Sequence, residues 1–232
     1  MKKLTRMLLV NWHYYTVEWI SFDNINFLTG KTGAGKSTLI DAMQIVLLGD
    51  TNGQHFFNKA ANDRSRRSLK GYLRGEYGDD GGSGYLYLRN QPFSSYIACE
   101  FFDTVNKKYL TIGVVFDCNY TATDESCFFI VKDKIPDNGY LRDDVAMEIR
   151  DLKQYLRQNY KRDSFDICTT AREYRNKLTG NLGGFKQDRY LTLMKKAVSF
   201  TPIIDIEEFI TEHICDSRRP PDLTGMQDNL RQ

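Results

Sequence analysis

Short apolar and β-branched runs near the start of the chain predict three β-strands. They cover Leu4–Val10, Val17–Phe22 and Ile25–Thr29, and polar residues separate them. The third run leads directly into Gly30–Thr38, which reads GKTGAGKST. Leu39–Leu48 then carries apolar residues on most faces of a helix, which is typical of a buried helix. The expected order is therefore strand, glycine-rich loop, helix, with Gly49 as the helix end.

The middle of the chain predicts an antiparallel sheet and the later part predicts helices. Three β-branched and aromatic segments are separated by polar turns: Tyr96–Phe102, Tyr109–Asp117 and Cys127–Lys132. Their short spacing predicts an antiparallel meander. Apolar residues then recur at helical spacing from Val145 through Ile149 and Leu152 to Leu156. Further helices are expected at Arg172–Leu178, Arg189–Phe200 and Ile206–Ile214, with Gly180–Gly184 separating the first two.

Composition places the chain among ordinary globular proteins. It has 232 residues, 41% hydrophobic and 27% charged, with a net charge of +2. This length suits one large domain or a domain with an insertion, and the charge says little about nucleic acid. Apolar runs such as Ile45–Leu48 are too short to cross a membrane. Five widely spaced cysteines and three scattered histidines predict free thiols in a reducing cytoplasm and no zinc site.

The Gly30–Ser37 segment matches G-x-x-x-x-G-K-[ST] without mismatch, which predicts a nucleotide-binding P-loop. Glycines let successive backbone N–H groups turn toward phosphate oxygens, and the following helix adds its positive N-terminal end. We expect Lys36 to reach the β- and γ-phosphates as the catalytic lysine, and Ser37 to bind Mg²⁺. The expected ATP-binding set is Gly30, Lys31, Thr32, Gly33, Ala34, Gly35, Lys36, Ser37 and Thr38. The competing interpretation is a glycine-rich turn that binds nothing.

Hydrolysis would also need an acidic residue that holds Mg²⁺ and a group that positions water. Asp117 ends an apolar strand, as the Walker B aspartate does, and Glu100 ends a weaker version. However, Cys118 follows Asp117 where a catalytic glutamate would stand, and the neighbouring strands are expected to be antiparallel. A strand-end structural role for Asp117 is therefore favoured over a metal ligand. The guanine-specific Asn-Lys-x-Asp motif is absent, because Asn176-Lys177-Leu178-Thr179 fails at its fourth position.

A basic segment follows the predicted P-loop helix. Five cations occur within eleven residues that contain no acid: Arg64, Arg66, Arg67, Lys70 and Arg74. They predict a contact with DNA phosphates, or an arginine near the nucleotide phosphates; a solvated loop or helix face is the alternative. The interleaved aromatic residues Phe56, Phe57, Tyr72 and Tyr77 are expected to pack in the core rather than stack on bases, whereas Trp12–Tyr15 suits either burial or stacking on adenine.

The residues around the P-loop resemble the N-terminal head half of SMC-like ATPases, a group that includes SbcC, MukB and the SMC proteins. The resemblance rests on Asn11-Trp12, Ile20–Asp23 and Phe27–Ala42, in which Asp41-Ala42 follows the loop. Softer patterns at Leu48–Asn58, Arg64–Gly75 and Tyr96–Asp103 look most like JetC, the SMC-like subunit of bacterial Wadjet anti-plasmid systems.

This resemblance implies an α/β P-loop NTPase fold of ABC-ATPase type that is incomplete, being the N-terminal half of a split head. A coiled coil and a C-terminal half with the signature motif and the Walker B Asp-Glu would complete it. It further implies that ATP and Mg²⁺ are bound between two heads. ATP hydrolysis would then require a complete, dimerised head, and it would drive DNA loop extrusion. The implied partners are the chain's own C-terminal head half, a second head, kleisin-like and winged-helix subunits, a toprim-type nuclease and DNA, with no membrane.

Several points stay open at the sequence level. No glutamine stands in Pro202–Glu208, where the family's Q-loop is expected, and Asp205 or Glu207 is the candidate substitute. Thr224–Gln227 predicts the start of a helix, which is either the beginning of a coiled coil at residues 220–232 or a frayed tail. In the first case, residues 1–219 would form the N-terminal half of the head. The rival functions are an SbcC-type repair ATPase, a self-contained P-loop NTPase that uses Asp117, and an interaction module with a vestigial P-loop.

Overall fold

A computed structural model describes residues 1–52, 57, 68–79, 84–120, 125–184 and 186–198. Its elements in chain order are β1 (Lys2–Trp12), β2 (Tyr15–Ser21), α1 (Lys36–Leu48), α2 (Leu69–Arg74), β3 (Glu76–Asp79), β4 (Tyr85–Tyr87), β5 (Phe93–Asp103), β6 (Lys108–Cys118), β7 (Glu125–Val131), β8 (Leu141–Arg142), β9 (Val145–Ala146), α3 (Ile149–Asn159), β10 (Phe165–Cys168), α4 (Ala171–Leu182) and α5 (Gln187–Val198).

The central sheet has six strands in the order β10-β7-β6-β5-β1-β2, and every neighbouring pair is antiparallel. Two of the strands expected at the start of the chain are confirmed as β1 and β2. The expected meander is confirmed as β5, β6 and β7, which pair in sequence order. Two short hairpins, β3–β4 and β8–β9, lie apart from this sheet.

Both faces of the sheet are covered by helices. In β1, Met7 and Leu9 join the core cluster that contains α1 and α4, whereas Leu8 and Val10 join the cluster that contains α3. Neighbouring strand residues point to opposite faces, so a strand buried on both sides reads as a continuous apolar run. All four side chains are at most 1% exposed. The architecture is thus a layered α/β fold with a mainly antiparallel sheet.

The prediction of a strand at Ile25–Thr29 is wrong for the described structure. This segment has no regular secondary structure and pairs with no strand of the described part. Its apolar side chains project into solvent, with Ile25 77%, Phe27 86% and Leu28 42% exposed. A strand exists only with a hydrogen-bonded neighbour, and no neighbour is supplied here.

Two helix boundaries also differ from the pattern. Val145 is 68% exposed in β9, and α3 begins only at Ile149, because the Asp117 carboxylate accepts a hydrogen bond from the Ile149 amide there. Gly180 lies inside α4, and the break falls at Gly183 and Gly184, whose φ angles are 137° and 75°. The expected helices at Arg172–Leu178 and Arg189–Phe200 correspond to α4 and α5, whereas Ile206–Ile214 lies outside the described residues.

The four described cysteines are free and buried; they are Cys99, Cys118, Cys127 and Cys168. Burial raises the pKa of Cys99 to about 12, which keeps the thiol protonated at neutral pH. In the portion of the chain that the structure describes, no helix is long and apolar enough to span a bilayer, and no cluster of metal-ligating side chains occurs.

Gly113 in β6 offers a direct test of the packing between strands. A methyl group there would overlap the Phe129 ring and lie 2.9 Å from the Ile97 carbonyl oxygen. We therefore expect Gly113→Ala to lower the free energy of unfolding by about 1–3 kcal/mol, as overpacking does. Gly180→Ala is the control, because its methyl group meets open space in α4 and should stabilise by about 0.5–1 kcal/mol. Urea unfolding of both variants checks this, and equal midpoints would contradict the described packing.

Candidate nucleotide-binding site

The glycine-rich loop has the backbone conformation that its glycines permit. Gly33 and Gly35 have φ angles of 86° and 85°, in the left-handed region that side chains disfavour. Gly35 is the N-cap of α1, no side chain caps this end, and no acid lies in the first turn. The first amides of α1 therefore leave a positive helix end suited to an anion. A methyl group on Gly35 would also lie 2.7 Å from the Tyr15 hydroxyl. Both the backbone conformation and the space at this position therefore favour glycine.

Lys36 is the first residue of α1, and its side chain contacts the start of the loop. Its ammonium group donates hydrogen bonds to the carbonyl oxygens of Gly30 at 2.6 Å and Lys31 at 2.9 Å. The side chain is folded back across the loop, and the residue is half-buried. This brings a positive charge over the concave side of the loop, where the bridging phosphates of a bound triphosphate would lie.

Three buried side chains fix the helix behind the loop. The Trp12 indole donates to the carbonyl oxygen of Thr38 at 3.1 Å and stacks on Tyr72, with ring centroids 4.9 Å apart. The Tyr72 hydroxyl donates to the carboxylate of Asp41, which is fully buried in α1. The His13 amide donates to the Tyr72 carbonyl at 2.6 Å. The end of β1, the P-loop helix and α2 are thereby joined into one unit.

A cleft of about 540 Å³ opens beside the loop. One wall is Thr32–Thr38, and the others come from the His13–Tyr14 turn, α2 and β3. This volume lies within the range of pockets that hold nucleotide-sized ligands. Its lining residues are His13, Tyr14, Thr32, Gly33, Ala34, Gly35, Lys36, Ser37, Thr38, Ser68, Gly71, Tyr72, Glu76, Tyr77 and Gly78.

Comparison with known families agrees with this geometry. Residues 4–64 match the family described as the P-loop containing region of AAA domain. The chain carries a nucleotide-binding P-loop of an ATPase. No curated protein matched the chain. The matched span contains most of β1, with β2, the glycine-rich loop and α1, and this match and the mixed α/β architecture fit an α/β P-loop NTPase. P-loop NTPases bind nucleotides, and they typically do so together with Mg²⁺.

Asp117, the candidate Walker B residue, is engaged within the fold. Its carboxylate accepts from the Ser94 hydroxyl at 2.7 Å and from the Ile149 amide at 2.9 Å. It ends an antiparallel strand and does not line the P-loop cleft. The structure thus supports the strand-end role that the sequence favoured.

Glu100, the weaker Walker B candidate, is also a structural residue. It is 2% exposed, and Arg6 donates to it at 3.0 and 2.7 Å. Burial by itself would raise its pKa, but hydrogen bonds from Arg6, the Ile135 amide and Thr5 outweigh this and hold the pKa below its ordinary value. A carboxylate so enclosed is not available to a ligand in the cleft.

The structure describes two residues of the basic segment. The Arg74 guanidinium donates to the carbonyl oxygens of Arg89 at 3.2 Å and Asn119 at 2.5 Å, and it lies 5.9 Å from the Phe93 ring centroid. Lys70 is exposed, with its ammonium 5.5 Å from the Tyr87 ring centroid. The other three residues, Arg64, Arg66 and Arg67, lie outside the described residues, as do Pro202–Glu208 and Thr224–Gln227.

Sequence reasoning missed Arg89, which holds the turn beside the P-loop. Its guanidinium donates to the carbonyl oxygens of His13 at 2.6 Å and Tyr15 at 3.0 Å. Burial lowers its pKa. A single arginine in an apolar stretch gives no signal of this role. The sequence also carries no signal for Glu76 of β3, because only the neighbouring DDGGSG turn was recognisable, and it favoured core packing for Tyr77, which is 52% exposed.

Lys36→Ala is the first test of the site. Charge-assisted hydrogen bonds contribute about 1.5–3 kcal/mol each, so the loss should weaken ATP·Mg binding by roughly 100-fold. Titration with a fluorescent ATP analogue measures this, and Lys186→Ala is the control because Lys186 is exposed and outside the cleft. Unchanged affinity in Lys36→Ala would rule out this loop as the phosphate site.

Tyr72→Phe tests the support behind the loop. The variant keeps the ring stacked on Trp12 and removes only the hydroxyl that bonds the buried Asp41 carboxylate. We expect a loss of about 1–3 kcal/mol in the free energy of unfolding, since a buried acceptor loses a donor. Tyr85→Phe, at an exposed tyrosine, should change little. If the two variants unfold at the same denaturant concentration, the Tyr72–Asp41 bond does not hold α2 to α1.

Proposed function

We propose that the chain is the N-terminal half of a split ATPase head of SMC-like, ABC-ATPase type, which binds ATP·Mg at Gly30–Thr38. The observation that carries this proposal is the exposed segment Ile25–Thr29. It leads into the loop as a strand does in the strand–loop–helix unit of P-loop proteins, yet it has no partner strand among the described residues.

The exposed apolar side chains of this segment would gain stability from burial by another segment. Phe27 and Ile25 are apolar and 86% and 77% exposed, and burial of such side chains stabilises by about 1.5–3 kcal/mol each. The segment's unpaired backbone groups are also free to form main-chain hydrogen bonds with a strand from another segment. A C-terminal head half that adds strands beside Ile25–Thr29 would satisfy both needs.

Three carboxylates, the two Walker B candidates and the aspartate that follows the loop, are consistent with hydrolytic residues being supplied by another segment. Asp117 and Glu100 are engaged within the fold, and Asp41 is held by Tyr72. In the proposed head, the Walker B Asp-Glu comes from the C-terminal half and the signature motif from a second head. Hydrolysis therefore belongs to the assembled dimer, with Lys36 and Ser37 contributed by this chain.

The proposed role of the assembled ATPase is DNA translocation or loop extrusion in plasmid defence, as in JetC of Wadjet systems. The support is the sequence resemblance at Leu48–Asn58, Arg64–Gly75 and Tyr96–Asp103. The proposed partners are kleisin-like and winged-helix subunits, a toprim-type nuclease and DNA. An SbcC-type repair ATPase would share the half-head but act with a nuclease at DNA ends.

The test is ATP turnover by this chain alone and after mixing with a C-terminal head half. Alone, the chain should turn over no more ATP than its Lys36→Ala variant. Mixing should produce turnover that Lys36→Ala abolishes. Robust turnover by the chain alone, lost in Asp117→Asn, would instead establish a self-contained NTPase and overturn the proposal.

Matched surface variants sharpen this test. Phe27→Asp should prevent complementation in trans, because a charge replaces an apolar residue that the missing strands would cover. Val105→Asp is the control: Val105 is 74% exposed in the turn between β5 and β6 and lies outside the proposed junction. If Phe27→Asp complements as well as Val105→Asp does, the missing half does not dock on this segment.

A further inference from the structure

The wall of the cleft formed by β3 and the Tyr14 turn has features that phosphate binding does not require. The P-loop motif accounts for Thr32–Thr38, and a triphosphate bound there occupies only the part of the cleft beside the loop. The remaining lining includes Tyr14, Glu76, Tyr77 and Gly78. A nucleoside attached to that triphosphate would extend among these residues.

Two tyrosines supply aromatic surface at this end of the cleft. Tyr14 is 57% exposed and Tyr77 is 52% exposed, although both line the cleft. Tyr14 is held by an edge contact with the His13 ring, with centroids 4.2 Å apart. Arg89 fixes the backbone of the same turn through His13 and Tyr15. Exposed tyrosine rings on an ordered turn and strand are suited to stacking on a planar base.

Among the described residues that line the cleft, Glu76 supplies the one carboxylate. Its Oε2 atom lies against the backbone of α2, only 2.7 Å from the position that a methyl group on Gly71 would occupy. No group in the described part of the chain donates a hydrogen bond to this carboxylate or forms an ion pair with it. An ionised carboxylate has only acceptor atoms, so it favours a ligand edge that carries an N–H donor.

We propose that Tyr14, Glu76 and Tyr77 form an adenine subsite, in which the tyrosines stack on the base and the Glu76 carboxylate accepts a hydrogen bond from the 6-amino group. This inference rests on the proposed ATP binding at the loop. It assigns base selection to β3, an element that the P-loop motif does not include.

The sharpest test compares ATP with purine riboside triphosphate, which is the same ligand without the 6-amino group. The wild-type chain should bind ATP about tenfold more tightly, the effect of one hydrogen bond to a charged group. In Glu76→Ala the affinities for ATP and the analogue should differ by no more than about twofold. This is because the variant should bind ATP more weakly and the analogue as tightly as the wild-type chain does. Glu125→Ala, an exposed residue at the start of β7, is the control and should keep the preference.

Three results in this comparison would overturn the inference. The first is that Glu76→Ala weakens the binding of ATP and of the analogue equally. The second is that the preference for ATP persists in Glu76→Ala. The third is that the wild-type chain binds GTP as tightly as ATP. Tyr14→Ala and Tyr77→Ala should weaken ATP and the analogue alike by about tenfold, because stacking is indifferent to the amino group. No loss in either tyrosine variant would exclude stacking.

Gly78 allows the base subsite to be blocked without disturbing the fold. A methyl group on Gly78 meets no atom within 4 Å, and the residue lines the cleft. Gly78→Leu should therefore weaken ATP by at least about tenfold, yet bind Mg²⁺-tripolyphosphate as the wild-type chain does. Gly180→Leu, also in open space but on α4, is the matched control.

Tripolyphosphate also separates failure of this inference from failure of ATP binding. If the wild-type chain binds neither ATP nor tripolyphosphate, the loop is not a nucleotide site and the proposed function fails. If it binds both ligands but Gly78→Leu and Glu76→Ala leave ATP affinity unchanged, the loop stands and the adenine subsite is wrong.

Discussion

The contact on which the site depends is the buried link from β1 to the P-loop helix through Trp12. Its indole bonds the Thr38 carbonyl, and its ring stacks on Tyr72, whose hydroxyl bonds the buried Asp41 carboxylate. A buried carboxylate without a donor would be costly, so this link is strongly favoured in the folded state. It sets the loop at the end of a rigid sheet and places α2 across the cleft from it. Preorganisation of this kind lets a loop of glycines bind phosphate without first becoming ordered.

The sheet is covered on both faces, whereas the segment that leads into the loop is uncovered in the described structure. Helices cover both faces, and the central residues of β1 are excluded from solvent. Ile25–Thr29, in contrast, exposes apolar side chains and pairs with no described strand. On the proposed account, this division reflects a half-site: the chain supplies phosphate binding, and a second segment supplies strands and the hydrolytic carboxylates.

The sequence predicted what depends on local pattern. It identified β1, β2, the β5–β7 meander, α1 and the P-loop, because each has its own periodicity or motif. It failed at Ile25–Thr29, where apolar composition indicated a strand but pairing requires a partner. It also failed at Val145, because the Asp117 carboxylate caps α3 further along the chain. Arg89 acts through contacts between distant segments, which no local pattern encodes.

Amide hydrogen exchange with and without ATP·Mg tests the central claim most directly, because it shows where the nucleotide binds along the chain. The account predicts that ATP·Mg slows exchange at Gly30–Thr38 and at Glu76–Gly78, and that Lys36→Ala removes both effects. Tripolyphosphate should protect the loop alone. Protection confined to other segments, or no protection at saturating ATP·Mg, would contradict the assignment of this cleft as the nucleotide site.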